Sequence, residues 1–128
     1  MKTEQIENRI HVSLLFSHYG ALLTENQQKI VSAYYLYDLS LSEIAEEEGI
    51  SRAGVSEALK TALGKMKEYE AKLGLLQKDE ALKKKIEAVE KIQEPKERLA
   101  AFEKLGKEIK DGIQQSILCT IPHVFVGN

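Results

Sequence analysis

Tryptophan is absent, cysteine occurs once, proline twice and phenylalanine three times in 128 residues. A single cysteine, Cys119, excludes an internal disulfide framework and fits a reducing compartment. With so few prolines, long segments are free to be helical. No apolar run approaches the roughly 20 residues that cross a bilayer. The opening MKTEQIEN lacks the apolar core of a secretory leader. These absences predict a cytoplasmic protein without membrane insertion. An excess of positive charge is also missing. Lys and Arg number 18 against 20 Asp and Glu, a net charge of −2, so no global cationic field draws the chain to nucleic acid. Residues 1–74 carry −3 and residues 75–128 carry +1, so any footprint for DNA must be local.

What is present is helical pattern. Thr3 to Tyr19 reads as a first helix with Ile6, Ile10, Leu14, Leu15, Phe16 and Tyr19 on its apolar face. Thr24 and Gln27 make a capping box opening a second helix at Glu25, lined by Ile30, Val31, Tyr34, Tyr35 and Tyr37. Tyrosines at this spacing are core residues more often than base-stacking platforms. Ser40 with Glu43 opens a third helix, and Gly49 closes it. Ser51 caps a fourth, whose Val55, Leu59, Ala62, Met66, Tyr69 and Leu73 form a heptad seam to Leu73. A fifth covers Asp79–Gln93, and Pro95 opens a sixth with the stripe Leu99, Phe102, Leu105, Ile109 and Ile113. Gly112 and Ser116 weaken its end, and Ile117–Val126 reads as a short strand or an extended apolar segment.

The pattern predicts an all-α fold. It is a helical bundle with a helix-turn-helix in residues 1–74 and a helical extension with an apolar tail in residues 75–128, either separate or packed on the first part. In the helix-turn-helix, Ala45 lets two helices approach, Gly49 permits the turn, and Ile44, Ile50, Val55 and Leu59 fill the angle. The third helix also carries Glu43, Glu46, Glu47 and Glu48. Carboxylates in a first turn complement the helix dipole. Glu46 and Glu47 on its outer face lower nonspecific affinity for DNA and equally suit a basic protein partner.

The stretch Leu23–Leu73 resembles the region of bacterial sigma factors that reads the −35 promoter element, through L-T-x-x-Q, a helix, then LSLSEIAEEEGIS and a recognition helix. HYGALLTENQQ and YYLYDLSLSEIAEEEGISR are more closely similar to the YlxM family of small helix-turn-helix proteins, over about the first 75 residues. That resemblance implies a DNA-binding regulator of transcription, inferred from fold. It also implies a role beside the signal recognition particle, whose GTPase genes usually neighbour this family. Three departures stand out. Glu48 sits where similar proteins carry Phe or Leu. Ala53-Gly54 replaces Gln-Ala, removing an amide that can read adenine, and Ser56 replaces an aromatic. Gly54 costs the helix roughly 0.5–1 kcal/mol relative to Ala.

For a recognition helix without a wing, the expected DNA-facing residues are Ser51, Arg52, Ala53, Ser56, Glu57, Lys60 and Thr61. Arg52 pairs with guanine, Glu57 accepts from cytosine, Lys60 reaches phosphate, and Thr61 with Ser40 or Ser42 touches the backbone. The bland alternative is a solvated face. No catalytic signature, phosphate loop or cofactor motif appears, so an enzyme is not expected. His11 and His18 lack a third ligand, and Cys119 with His123 lacks a second pair, so no metal is expected. Two readings stay open: a DNA-binding regulator, and an adaptor for a signal recognition particle protein. A homodimer is expected, because the fourth and sixth helices carry more apolar stripe than a small head covers.

Overall fold

A computed structural model describes the backbone of residues 2–120 and the side chains of residues 7–113. Six α-helices follow one another among the described residues: α1 (Lys2–Tyr19), α2 (Glu25–Val31), α3 (Leu41–Glu48), α4 (Arg52–Leu73), α5 (Leu75–Glu90) and α6 (Pro95–Thr120). A 3₁₀ turn, Gly20–Leu22, follows α1, and a π-helical turn, Ser32–Leu36, extends α2. No strand occurs among the described residues, so the chain is all-α. Two compact units divide it, Met1–Lys78 and Asp79–Asn128.

The first unit is built around α4. Val55, Leu59, Ala62 and Met66 are buried, and Tyr69 packs at their edge, so the heptad seam is covered within this unit as far as Tyr69. Ile30 and Val31 from α2, Ile44 and Ala45 from α3, and Leu76 from α5 close the core. On α1 the core face is Val12, Leu15 and Tyr19, with Phe16 beside them, whereas Ile10 and Leu14 are exposed. The face expected from sequence is thus rotated: with apolar residues at nearly every angle of α1, periodicity alone does not choose among them. Leu73, at the end of the seam, is also exposed.

Caps fall where the side-chain chemistry put them. Thr24 Oγ1 accepts from Gln27 N–H at 3.2 Å while Gln27 Oε1 accepts from Thr24 N–H at 3.1 Å, a complete capping box. Beyond α2 the backbone departs from expectation. The π-helical turn ends at Tyr37, which is exposed rather than on the apolar face, and Asp38 adopts φ +58°.

The junction between α4 and α5 is a single residue, Gly74, at φ +62°. It ends α4 by donating to Glu70 O at 2.8 Å. A helix start leaves four N–H groups without internal partners. Here all four are taken: besides Gly74 N–H on Glu70 O, Leu75 N–H donates to Tyr19 Oη at 3.1 Å, Leu76 N–H to Glu70 Oε1 at 3.0 Å and Gln77 N–H to Glu70 Oε2 at 3.1 Å, before Lys78 N–H makes the first bond within the helix, to Gly74 O at 3.0 Å. Tyr19 Oη in turn donates to Glu70 Oε1 at 2.6 Å. The bond from Tyr19 holds the Glu70 carboxyl below its ordinary range; burial opposes this, and the Leu76 and Gln77 N–H groups and nearby His18 add to it. Burial, then the bond to Glu70, pushes the Tyr19 hydroxyl up. Helix α5 therefore starts at Leu75, four residues before the Asp79 expected from sequence.

The second unit holds the rest of α5 and α6. Glu94 O accepts from Arg98 N–H at 2.9 Å and opens α6 at Pro95, as the sequence predicts. Leu105, 7% exposed, is the one buried apolar side chain here among the described residues. Gly112 and Ser116 do not end α6, whose backbone stays helical to Thr120. The strand or extended segment expected over Ile117–Val126 is thereby corrected for residues 117–120; residues 121–128 lie outside the described residues.

Candidate nucleic-acid interface

The corner between α3 and α4 rests on three local devices. Ser40 Oγ accepts from Glu43 N–H at 3.1 Å and donates to the Glu43 carboxylate at 3.1 Å, fixing the start of α3. Gly49, at φ +67°, turns the chain in a conformation that costs an L-residue about 1–2 kcal/mol. Ser51 Oγ accepts from Gly54 N–H at 2.9 Å and starts α4. A Cβ on Gly54 would lie 3.2 Å from that hydroxyl, so the small residue leaves the cap room.

Ile44, Val55 and Leu59 fill the angle, as expected; Ile50 does not, and is exposed. It lies between the left-handed glycine and the cap, where the chain leaves the core. Leu39 and Leu41 are half-buried and packed against the core. Glu48 is half-buried.

All seven residues singled out from sequence come together at the start of α4. Ser51, Arg52, Ala53, Ser56, Glu57, Lys60 and Thr61 are exposed. At 100° per residue, Ala53, Glu57, Lys60 and Gly64 point opposite the buried Val55, Leu59, Ala62 and Met66. Glu43, Glu46 and Glu47 are exposed on α3. Between Ser40 and Thr61 the corner holds five carboxylates and two cations, so its field is set by where Arg52 and Lys60 stand rather than by net charge.

A second cluster was not read from the sequence. Arg9 on α1 donates through Nη1 to Tyr34 O at 2.9 Å and pairs through Nη2 with Asp38 at 3.1 Å. Its guanidinium lies 5.1 Å from the Tyr34 ring centroid and 5.9 Å from that of Tyr35. The two rings meet edge to face at 4.9 Å. Burial and neighbouring Tyr34 lift the Tyr35 hydroxyl above its ordinary range, with Arg9 opposing. Arg9 thus occupies a carbonyl at the π-helical turn and holds the segment leading into α3. No local pattern links residue 9 to residues 34 and 38.

The family model UPF0122, "Putative helix-turn-helix protein, YlxM / p13 like", matches residues 6–109 and so reaches well past residue 75 into α6. A UPF0122 protein of Caldanaerobacter subterraneus subsp. tengcongensis is 49% identical over 80 residues, 62% of this chain and 68% of the relative. A UPF0122 protein of Thermoanaerobacter sp. is 38% identical over 109 residues, 80% of this chain and 93% of the relative. One from Halalkalibacterium halodurans is 41% identical over 104 residues, 78% of this chain and 95% of the relative. With the fold, the capped corner and these relatives in agreement, the chain belongs to the UPF0122 family of YlxM/p13-like helix-turn-helix proteins.

Proposed function

We propose that the protein is a non-catalytic cytoplasmic regulator of transcription that binds duplex DNA through the start of α4. The observation that carries this reading is the joint exposure of Ser51, Arg52, Ala53, Ser56, Glu57, Lys60 and Thr61 beyond a rigid, doubly capped corner. Arg52 is suited to guanine and Lys60 to phosphate, while Glu57 between them selects against nonspecific backbone contact. Residues 1–74 are the DNA-facing part and residues 75–128 a helical extension. The protein acts as a homodimer, so that two recognition helices meet two half-sites.

The test is fluorescence anisotropy with labelled duplexes at low salt. The wild type should bind weakly and lose affinity as salt rises, with a slope of about 0.9 per phosphate neutralised. Arg52→Ala with Lys60→Ala should abolish the signal while helix content holds. Glu57→Gln should strengthen nonspecific binding, because it removes a charge that repels phosphate. Wild type that binds no duplex at low salt would overturn the reading.

One observation favours a second reading. Glu43, Glu46 and Glu47 face solvent beside the same corner, which suits a basic protein surface better than phosphate. In that reading the protein is an adaptor for a component of the signal recognition particle pathway. Charge-neutralising these three residues would then weaken pull-down of that component, and no duplex binding would be seen.

A further inference from the structure

Helix α6 presents two faces. Ala101 and Leu105 line a cleft of about 300 Å³ with Lys85, Ala88 and Val89 of α5, and Leu105 is 7% exposed. A separate stripe is open: Leu99, Phe102, Ile109 and Ile113 are 62%, 40%, 36% and 57% exposed. Steps of three and four along Leu99, Phe102, Gly106, Ile109 and Ile113 make this a heptad seam with glycine at its centre. A Cβ on Gly106 would meet nothing within 4 Å.

The seam is symmetric about Gly106. Leu99 and Ile113 lie seven residues to either side, Phe102 and Lys110 four, and Glu103 and Ile109 three. Glu103 and Lys110 are both exposed and sit on the same edge of the stripe, away from α5. A surface that matches itself under a two-fold rotation, with opposite charges in equivalent places, is what an isologous interface requires.

We infer that α6 pairs with α6 of a second copy, antiparallel, about a two-fold axis at Gly106. This rests on the homodimer stated above and narrows it to one helix, one register and one axis. Leu99 packs against Ile113 of the partner copy, and the glycines let the helices approach where they cross. Glu103 pairs with Lys110 of the partner copy on both sides of the axis. A parallel two-fold pairing would put Glu103 and its copy on opposite edges of the seam, so only the antiparallel arrangement sets Glu103 against Lys110 of the partner copy. The four side chains bring on the order of 350 Å² of apolar area per copy, about 700 Å² for the pair and short of the roughly 1,000 Å² of a stable interface before the flanking polar side chains are added, so the dimer is weak and concentration-dependent.

The experiment uses the full chain and light scattering at tens of micromolar, with circular dichroism to confirm helix content. Wild type should have the dimer mass. Glu103→Lys alone and Lys110→Glu alone should each raise the dissociation constant at least roughly tenfold, since each sets like charges face to face. An equimolar mixture of the two variants should restore the dimer, because one chain then carries two lysines opposite two glutamates. With Cys119→Ser as background, Gly106→Cys should oxidise to a covalent dimer and Lys104→Cys, on the opposite face, should not. A monomeric wild type overturns the homodimer itself and leaves the stripe to a different protein. A dimer indifferent to both reversals, or a mixture that stays monomeric, overturns this axis while duplex binding, measured separately, stands or falls on α4.

Discussion

Two glycines in the first unit test the backbone reasoning in opposite directions. Gly64 lies inside α4 on the outward face, and a Cβ there meets nothing within 4 Å. Gly64→Ala therefore trades no packing for a better helix former. The gain is about 0.5–1 kcal/mol. For a unit of this size 1 kcal/mol moves the melting temperature by about 4–8 °C, so the variant should melt about 2–8 °C higher. Gly49 has equal space around it but sits at φ +67°. Gly49→Ala adds a side chain to a left-handed residue, at a cost of about 1–2 kcal/mol, partly offset by the stiffer unfolded chain. It should melt several degrees lower, by about 4 °C or more. Far-UV circular dichroism melts of both variants beside wild type decide the matter. Steric space is alike at the two sites, so only backbone conformation separates them. If Gly64→Ala lowers the melting temperature, the outward face of α4 is packed and the assignment of an open recognition surface is wrong. If Gly49→Ala is neutral, the corner does not depend on a left-handed residue.

Other consequences can be measured on the same protein. Met66→Ala, which empties a fully buried site on α4, should cost about 2–5 kcal/mol in denaturant titrations. Ser51→Ala removes the acceptor of the Gly54 N–H and should cost about 1 kcal/mol, with the loss confined to amides in the first turn of α4 by hydrogen exchange. The Glu70 carboxyl titrates below its ordinary value of 4.5 in the folded chain. It therefore adds stability that is present above 4.5 and is lost as the pH falls below it through the folded value. Melting temperatures of wild type should drop more steeply with acid than those of Glu70→Gln, and parallel curves would refute the role given to Tyr19 and Glu70.

The parts of the fold that were legible in the sequence are those whose cause is local. Thr24–Gln27, Ser40–Glu43 and Ser51 sit within three residues of the N–H groups they satisfy, and Gly49 needs only its own backbone angle. The seam of α4 was legible because its apolar residues keep one phase as far as Met66. What was missed depends on residues far apart. No capping residue precedes α5, since its caps come from Tyr19 and Glu70, so LLQK reads as a connector. The π-helical turn carries a carbonyl, that of Tyr34, occupied by Arg9 twenty-five residues away. On α1 the phase was ambiguous, and Val12 rather than Ile10 went inside. The candidate DNA surface was legible because the residues that follow a cap on an amphipathic helix are exposed by geometry. The pairing surface of α6 was legible only as an apolar stripe. Its free half emerged when α5 was seen to cover Leu105 and leave Leu99 and Ile113 open.

The splice at Gly74 has a bearing on how the chain comes off the ribosome. Amides in the first turn of a helix normally fray and exchange fast, having no partner within the helix. Those of Leu75, Leu76 and Gln77 are held instead by side chains anchored in α1 and α4. Tyr19 is synthesised early and must wait more than fifty residues for the groups it binds. Until residue 77 has left the exit tunnel, the Tyr19 hydroxyl and the Glu70 carboxylate lack the amides that complete the junction, so α1 and α4 are released into the cell before their last hydrogen bonds exist. A pulse-labelling experiment on stalled chains would see this directly: chains stopped with Leu73 just emerged should leave Tyr19 open to chemical modification, and chains stopped a few tens of residues later should hide it.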